Sequence, residues 1–380
     1  MTVGPPARPL TDELAALLRG TCAAWRALGV TPAELFATCA DHGLVGLVDH
    51  QLRRGFEACD WPAQARDALT EYARAEAAKE LLRQREIVSV LDALANNSIH
   101  PILLKGTPLA YSIYPAPQLR PRSDTDLLVP RSAVEAVRRI LAAGGYSAPV
   151  YCDGELVFCQ FELGKTDEYG IRHAFDFHWK VSMQSVFADL LTYDELAAGA
   201  APVAALGPHA RAAGPLHALL LACVHPAMHH QNVERLLWTY DTHLLASRLS
   251  AAEWERFVAL ALSKQVGAIA AYELDLARSR FGTDISARMI ERLGSARATE
   301  PSSAYLRPGR RWHHELWSRL QGISRWNDRA RLLREVVFPG PAYMLRAYGV
   351  PSGLLGMLSL PTLYLHRGVR GLMKVVAGQK

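Results

Sequence analysis

The sequence contains few cysteines, and their spacing does not form a metal-binding or disulfide pattern. The six cysteines have no C-x-x-C pair and no regular framework: Cys22, Cys39, Cys59, Cys152, Cys159 and Cys223. Such scattered cysteines are typical of reduced, partly buried thiols in a cytosolic protein. We therefore expect a cytoplasmic location and no disulfide framework.

Long apolar runs are also missing. The first ten residues have no apolar core of the kind found in a secretory signal. The longest apolar stretch, Leu354 to Leu365, is interrupted by Ser359 and Pro361. It is shorter than the roughly 20 residues that a membrane-spanning helix needs. These absences favour a soluble protein.

The C-terminal segment from Leu354 to Lys380 mixes apolar residues with the basic residues Arg367, Arg370 and Lys374. A pattern of this kind can lie on a membrane surface. A docking helix with a solvated basic face is the commoner structure, and we favour it, so membrane contact is the less favoured alternative.

Charge of one sign is not concentrated anywhere in the chain. Lysine and arginine number 42 against 37 aspartates and glutamates, which gives a net charge of +5. This mild excess fits binding of a polyanion such as a triphosphate, but no basic stripe or patch interleaved with aromatics is present. A nucleic-acid partner is therefore disfavoured.

The chain has ample material for a core, because half of its 380 residues are apolar. This length suggests two domains, and no internal repeat is present. Capping boxes at Thr31 and Ser132 and a long pattern from Pro62 to about Leu94 predict helices. From Pro215 onward the pattern is helical, and 296–311 is predicted to be a linker or exposed loop. We predict four regions: N-terminal helices (1–95), a catalytic core (96–210), a helical domain (211–295) and an extension (296–380).

The most informative stretch begins as an apolar strand at Ile99 and ends in Lys105-Gly106-Thr107-Pro108. Thr107 suits an N-cap and Pro108 suits the first helical position. A strand, a tight turn and a helix start would bring backbone N–H groups and a lysine to one spot. This arrangement predicts an anion site.

Two acids follow on the next strand. Asp124 and Asp126 precede the apolar residues Leu127 to Val129, and positions i and i+2 of a strand share a face. Two crowded carboxylates repel each other unless a cation neutralises them, and oxygen ligands suit Mg²⁺. A phosphate cradle beside a magnesium site implies phosphoryl or nucleotidyl transfer from a nucleoside triphosphate.

These motifs resemble a known family. Gly106-Thr107 followed by Asp124-x-Asp126 is similar to the hG[GS]…Dh[DE]h signature of the DNA polymerase β-type nucleotidyltransferase superfamily. The wording L-K-G-T-P-L-A-Y-x-x-Y-P, then R-P-x-S-D-T-D-L-L-V, resembles its uncharacterised nucleotidyltransferase family, over roughly residues 80 to 265. Thr107 departs from the usual glycine or serine but keeps a hydroxyl.

The resemblance implies an α+β fold: a mixed sheet flanked by helices, with N-terminal helices and a C-terminal helical domain. It also implies two Mg²⁺ ions, which Mn²⁺ can replace, and a third carboxylate on a later strand. On the predicted strand His173 to Lys180, Asp176 and His178 share the face opposite the aromatics. We assign the third metal ligand to Asp176, while His178 either orients it or packs in the core.

Three further residues near the motif have two interpretations each. Lys105 could hold phosphate or be a charge at the sheet edge. Arg120 and Arg122 could grip triphosphate oxygens, or pair with Asp124 to shape the loop. Thr107, with Gly106, would supply backbone N–H groups to the phosphates.

The predicted helical domain contains His225 and His229 at i, i+4, with Trp238 and Asp241 on the next helix. A zinc site is disfavoured because neither an H-E-x-x-H motif nor a cysteine pair completes it. These residues could face the acceptor or the nucleotide, although ordinary packing explains them as well.

The sequence therefore predicts a Mg²⁺-dependent nucleotidyltransferase that moves a nucleoside monophosphate to a hydroxyl-bearing small molecule or peptide and releases pyrophosphate. One alternative is phosphoryl transfer or the tailoring of a ribosomal peptide, since some members of the resembling family lie in lasso-peptide pathways. A second is a non-catalytic nucleotide-binding scaffold. The acceptor, the nucleobase and the oligomeric state carry no signal in the sequence.

Overall fold

The structure, a computed structural model, describes residues 9–55, 59–148, 159–307, 316–317, 320, 323 and 325–376. These residues form many helices and one six-stranded mixed sheet with the strand order β3-β4-β2-β1-β6-β5. The predicted α+β class, with N-terminal helices and a C-terminal helical region, is confirmed.

The first half of the described chain contains α1 (Leu10–Leu18), α2 (Trp25–Leu28), α3 (Pro32–Asp41), α4 (Val45–Gly55), α5 (Ala63–Ala95), β1 (Ile102–Leu104), α6 (Gly106–Ser112), β2 (Thr125–Leu128), α7 (Val134–Ala143), β3 (Gln160–Thr166) and β4 (Arg172–His178). The second half contains α8 (Ser185–Ala188), α9 (Tyr193–Ala198), β5 (Ala201–Pro202), β6 (Arg211–Ala212), α10 (Pro215–His229), α11 (Leu236–Ala246), α12 (Ala251–Ser263), α13 (Gly267–Phe281), α14 (Ala287–Gly294), α15 (Trp326–Val337), α16 (Pro341–Ala347) and α17 (Leu354–Val376).

The chain divides into two compact units, and the division lies within β2. One unit comprises Met1–Leu127 and Leu196–Leu306; the other comprises Leu128–Glu195 and Arg307–Lys380. In the first unit, β1 pairs in parallel with β6, with Ile102 opposite Arg211. In the second unit, β3 and β4 form an antiparallel pair in which Glu162 lies opposite Asp176.

The two predicted capping boxes have different outcomes. Thr31 Oγ1 accepts a hydrogen bond from the Glu34 backbone N–H, and the Glu34 carboxylate accepts one from the Thr31 N–H, so α3 begins as predicted. The prediction at Ser132 is wrong: residues Arg131–Ala133 form a 3₁₀ turn, and α7 begins at Val134 without a side-chain cap. The helix therefore starts one residue later than the motif suggests, at Val134 and not at Ala133.

The strand predicted from His173 to Lys180 is present as β4, although it begins at Arg172 and ends at His178. Phe175 and Phe177 of β4 are buried, and Phe177 stacks on Phe161 of β3 with ring centroids 5.3 Å apart. Cross-strand aromatic pairs of this kind fix the register of an antiparallel pair.

The prediction that all the cysteines are reduced is wrong for two of them. Cys22 and Cys59 form a disulfide that links the segment before α2 to the segment before α5. Cys39 and Cys223 are buried free thiols, and Cys159 is a partly exposed one. The spacing of 37 residues carried no sequence signal for this pairing.

The segment predicted as a linker is partly buried. Residues Ser295–Ala298 and Pro301–Leu306 form 3₁₀ turns. The buried Glu300 carboxylate accepts hydrogen bonds from the backbone N–H groups of Gly267 (2.9 Å) and Ala268 (2.8 Å). It therefore caps the first turn of α13, where the helix dipole favours a negative charge.

The C-terminal helix α17 carries an apolar face toward solvent, and Leu354 and Leu355 are both at least 80% exposed. Its other side packs through Leu360 on Met344 and Leu345 of α16. No helix in the described part of the chain is long and apolar enough to cross a membrane. Contact of this segment with a membrane surface stays a prediction.

A buried acid in α13 gives the first testable consequence of the fold. Glu273 is 2% exposed, and burial raises the pKa of its carboxyl to about 7, although a hydrogen bond from Thr239 opposes the shift. Between the ordinary value of 4.5 and about 7, the folded protein keeps a proton that the unfolded chain has lost. The free energy of unfolding therefore falls as pH rises through this window, by about 3 kcal/mol in total.

We expect Glu273→Gln to remove this dependence, because the amide is isosteric and does not ionise. Urea unfolding at pH 5 and pH 8 measures it: the variant gains stability relative to wild type at pH 8 by about 1–3 kcal/mol. Glu71→Gln, at an exposed position of α5, is the control. Equal pH profiles of Glu273→Gln and wild type would contradict the raised pKa.

Candidate functional site

The corner between β1 and α6 is the centre of the candidate site. Lys105 follows the last residue of β1 with a left-handed φ of 54°, and α6 begins at Gly106. The helix starts two residues earlier than predicted, with Lys105 in place of Thr107 at the N-cap position, so Thr107 lies in the first turn. Thr107 is 1% exposed, and its hydroxyl lies 3.4 Å from Thr125 Oγ1 of β2.

The lysine at this corner points at one of the two predicted acids. Lys105 Nζ lies 2.6 Å from Oδ1 of Asp126, whose side chain is 7% exposed. An ion pair this buried holds both groups firmly, because removing either leaves an uncompensated charge. Lys105 is therefore a partner of the metal-site acids as well as a candidate phosphate ligand.

Asp124 lies just before β2, two residues from Asp126. Burial and the negative charge of Asp126 raise the pKa of its carboxyl, while the positive charge of Lys105 opposes the shift. A pKa raised in this way shows that the positive charge of Lys105 does not fully offset the repulsion between the two carboxylates. This is the electrostatic condition under which a divalent cation binds well.

Asp176 and His178 lie on β4, the strand next to β2 in the sheet order. Each of Asp126, Asp176 and His178 offers one ligand atom, and these three atoms lie within 4.8 Å of one another. Gln160 also donates a hydrogen bond to Asp176 at 3.3 Å. Among the described residues this group does not include Asp124, whose metal role stays a prediction. His178 offers a ligand atom of its own to this group. From the sequence, it was expected only to orient Asp176 or to pack in the core.

The two arginines beside the acids are paired with long-range partners. Arg120 contacts the carboxylate of Asp241 through Nη2 (2.7 Å) and Nε (3.3 Å), and Asp241 also accepts a hydrogen bond from Tyr114 at 2.6 Å. All three side chains are buried. Arg120 therefore ties the loop before β2 to α11 and pairs with Asp241, not with Asp124.

Arg122 is held differently. Its Nη2 lies 2.5 Å from Oε1 of Glu80 on α5, and the hydroxyl of Tyr111 also reaches Glu80. Within the described residues, its Nε and Nη1 atoms are buried and make no hydrogen bond. Arg122 thus retains two donors that a phosphate could satisfy.

Gly106 is required for this arrangement in a way the sequence did not reveal. A Cβ built on Gly106 would lie 2.7 Å from Cζ of Arg120. We expect Gly106→Ala to push the guanidinium away from Asp241 and to lower the free energy of unfolding by about 1–3 kcal/mol. Gly55→Ala is the matched control, since nothing lies within 4 Å of the added carbon there. Equal urea midpoints for the two variants would show that Arg120 adjusts freely.

Two histidines contact Trp238 of α11: His225 of α10, and His230, which directly follows α10. The ring of His230 stacks on Trp238 at 4.1 Å between centroids, and His225 meets the same ring edge-on at 5.2 Å. His225 Nδ1 is buried and makes no hydrogen bond to the described residues. Burial, together with the nearby His229 and Lys105, lowers the pKa of His225 well below its usual value, so its ring is neutral.

A cavity of about 250 Å³ lies between these helices and β1, and we call it the α10 cavity. Three of the residues predicted to face the acceptor or the nucleotide line this cavity: His225, Trp238 and Asp241. Lys105 and Arg120, which were predicted to bind phosphate, line it as well. The apolar character of the cavity walls was not predicted from the sequence. The signal was present in α10, where Ala218, Leu221, Ala222 and His225 follow the i, i+3, i+4, i+7 spacing of one helix face.

Comparison with protein families identifies the class of the chain. A family model described as uncharacterised nucleotidyltransferase matches residues 29–282, about two thirds of the 380 residues. The chain belongs to this family. The match runs from the start of α3 to the end of α13 and contains every residue of the site described above. The comparison with curated proteins gives no match.

Membership in the uncharacterised nucleotidyltransferase family confirms the resemblance seen in the sequence. It supports nucleotidyl transfer as the general activity and enzyme as the general class. The group Asp126, Asp176 and His178 could hold a metal ion, as nucleotidyltransferases typically require.

Proposed function

We propose that this protein transfers a nucleoside monophosphate from a nucleoside triphosphate to a hydroxyl-bearing acceptor, a small molecule or a peptide, with release of pyrophosphate. The observation that carries this proposal is the approach of ligand atoms from Asp126, Asp176 and His178 to within 4.8 Å. The ion pair of Asp126 with Lys105 adds a cationic group to the same acid. Family membership supplies the reaction class.

The donor set fits a divalent cation. Carboxylates suit Mg²⁺ and Mn²⁺, whereas an imidazole nitrogen suits transition metals better. Asp124, Asp126 and Asp176 would hold two Mg²⁺ ions, and a direct bond from His178 would favour Mn²⁺ at one position. When bound, the ions neutralise phosphate charge and lower the pKa of the attacking hydroxyl.

The chain's own residues then bind and orient the triphosphate. Lys105 and the backbone N–H groups of Gly106 and Thr107 would contact the β and γ phosphates. Arg122 would add its two unsatisfied donors. Arg120, engaged by Asp241 on two of its nitrogens, would position the loop more than it binds phosphate.

The reaction is an in-line displacement. The acceptor oxygen forms a bond to the α-phosphorus, the bond from that phosphorus to the bridging oxygen of the β-phosphate breaks, and pyrophosphate leaves with the electron pair. The hydroxyl proton is released to solvent. Catalysis of this kind depends on placed charge and orientation more than on covalent chemistry by the protein.

A screen of nucleoside triphosphates against acceptor alcohols and peptides tests the proposal by pyrophosphate release. Mass spectrometry of the product separates the outcomes: an added nucleoside monophosphate supports nucleotidyl transfer, and an added phosphate supports phosphoryl transfer. A modified peptide would identify a tailoring enzyme.

Calorimetry with ATP or GTP and Mg²⁺ completes the test. Metal-dependent triphosphate binding without turnover on any acceptor would favour the non-catalytic scaffold and contradict the proposed reaction.

A further inference from the structure

The walls of the α10 cavity are strongly apolar. Side chains from β1, α6, α10 and α11 contribute, among them Leu104, Leu109, Ile113, Leu221 and Leu245. On α10, the lining positions Ala218 and Ala222 are one turn apart, and their small side chains leave the space that larger residues would fill. A persistent apolar cavity destabilises a protein by lost packing, roughly 24 cal/mol per Å³. A ligand that fills the space is the simplest reason to retain it.

The charged side chains that line the cavity are already engaged. Arg120 pairs with Asp241, and Lys105 pairs with Asp126. Arg248 donates to the carbonyl oxygens of residues 112 and 113 at 3.0 and 3.1 Å, and Glu253 caps α12. A ligand in the cavity therefore meets apolar walls and charges that are already neutralised, which favours an uncharged molecule.

One polar group in the wall lacks a hydrogen bond. His225 Nδ1 is buried and has no hydrogen-bond partner among the described residues, and His225 lines the cavity together with Lys105. A neutral imidazole has one donor and one acceptor nitrogen, so it can bind a hydroxyl group in either sense. The part of the cavity wall formed by His225 and Lys105 is therefore polar, and it belongs to the candidate site. An alcohol bound in the cavity would direct its hydroxyl group to this part of the wall.

We propose that the α10 cavity binds the uncharged apolar body of the acceptor, an aliphatic or aromatic alcohol, with its hydroxyl hydrogen-bonded to His225 and close to Lys105. The identification of the ligand as the acceptor rests on the proposed function. The binding of an uncharged alcohol in the cavity does not. It excludes sugars and strongly charged peptides as the group that enters the cavity.

Straight-chain 1-alkanols from butanol to octanol are the probes, and their binding is measured calorimetrically without nucleotide or metal. Because each buried methylene contributes about 0.8 kcal/mol, affinity should rise roughly fourfold per carbon. Ala222→Phe fills the cavity and should weaken octanol binding by at least about tenfold. Leu216→Phe, on the same helix but outside the lining residues, should leave it unchanged.

A separate measurement, the preference for an alkanol over its methyl ether, tests the role of His225. Wild type should bind an alkanol better than the methyl ether of equal chain length, and His225→Phe should remove this preference while retaining alkanol binding. Melting temperatures identify variants that fail to fold, and Ala218→Leu then replaces Ala222→Phe.

The outcomes are distinguishable. Alkanol affinity that is independent of chain length, or unaffected by both filling variants, overturns the inference. Adenosine or guanosine binding that Ala222→Phe abolishes would also overturn it, by making the cavity a nucleobase site. Alkanol binding as expected, with no transfer from any triphosphate to any acceptor, would overturn the proposed function and leave the cavity assignment intact.

Discussion

Asp126→Asn should abolish nucleotidyl transfer while leaving a folded protein. The amide keeps the shape of the carboxylate but loses its negative charge. That charge is needed both to bind a metal ion and to pair with Lys105. Metal ions supply several kcal/mol of transition-state stabilisation, so the turnover rate should fall by at least about a thousandfold. Pyrophosphate release at saturating triphosphate measures the loss, and electron paramagnetic resonance with Mn²⁺ measures the loss of metal binding.

The control for this variant is Asp189→Asn. Asp189 also pairs with a lysine, Lys180 at 2.9 Å, but its side chain is 74% exposed. An exposed ion pair contributes little to stability, so this change should be silent in activity and unfolding. Asp126→Asn with transfer within tenfold of wild type would show that Asp126 does not hold the metal, and the proposed mechanism would fail.

The local parts of the site could be predicted from the sequence because neighbouring residues determine them. The corner at Lys105-Gly106 and the acids on either side of Thr125 are set by a strand end and by the two-residue period of a strand. The start of α6 differs from the prediction by two residues, because the chain turns at Lys105, which has a positive φ of 54°, and the helix begins directly after it at Gly106. Thr107 then packs against β2 and does not cap.

The long-range parts could not be predicted in the same way. The partner of Arg120 lies 121 residues away on α11, and that of Arg122 lies 42 residues away on α5. Nothing in the sequence near either arginine encodes those acids. The disulfide of Cys22 with Cys59 and the burial of Glu300 in a segment that looked like a linker are failures of the same kind.

These pairings give the loop before β2 a defined shape. Near the end of the loop, Arg120 is held by Asp241 of α11, and Arg122 is held by Glu80 of α5, which is 3% exposed and also accepts a hydrogen bond from Tyr111. The two anchors therefore fix the position of Asp124 and of the start of β2, where Asp126 lies. Preorganised charges of this kind need little rearrangement when a reaction begins.

The Arg120–Asp241 pair should consequently be one of the largest single contributors to stability in the site. Asp241→Ala leaves the buried Arg120 guanidinium without its carboxylate and removes the acceptor of the Tyr114 hydroxyl. Breaking a buried pair by removing one partner costs about 3–5 kcal/mol. Urea unfolding should therefore show a shifted midpoint with an unchanged slope.

Two comparisons separate the loss of the ion pair from a general effect of the substitution. Asp275→Ala removes an exposed pair with Arg278 and should cost less than about 1 kcal/mol. The double variant Asp241→Leu with Arg120→Met should recover most of the stability, because well-packed apolar residues often replace a buried pair without loss. If the double variant recovers stability but not activity, the pair positions the loop that ends at Asp124 and leads into β2. An Asp241→Ala cost as small as that of Asp275→Ala would contradict the view that this pair holds the loop in place.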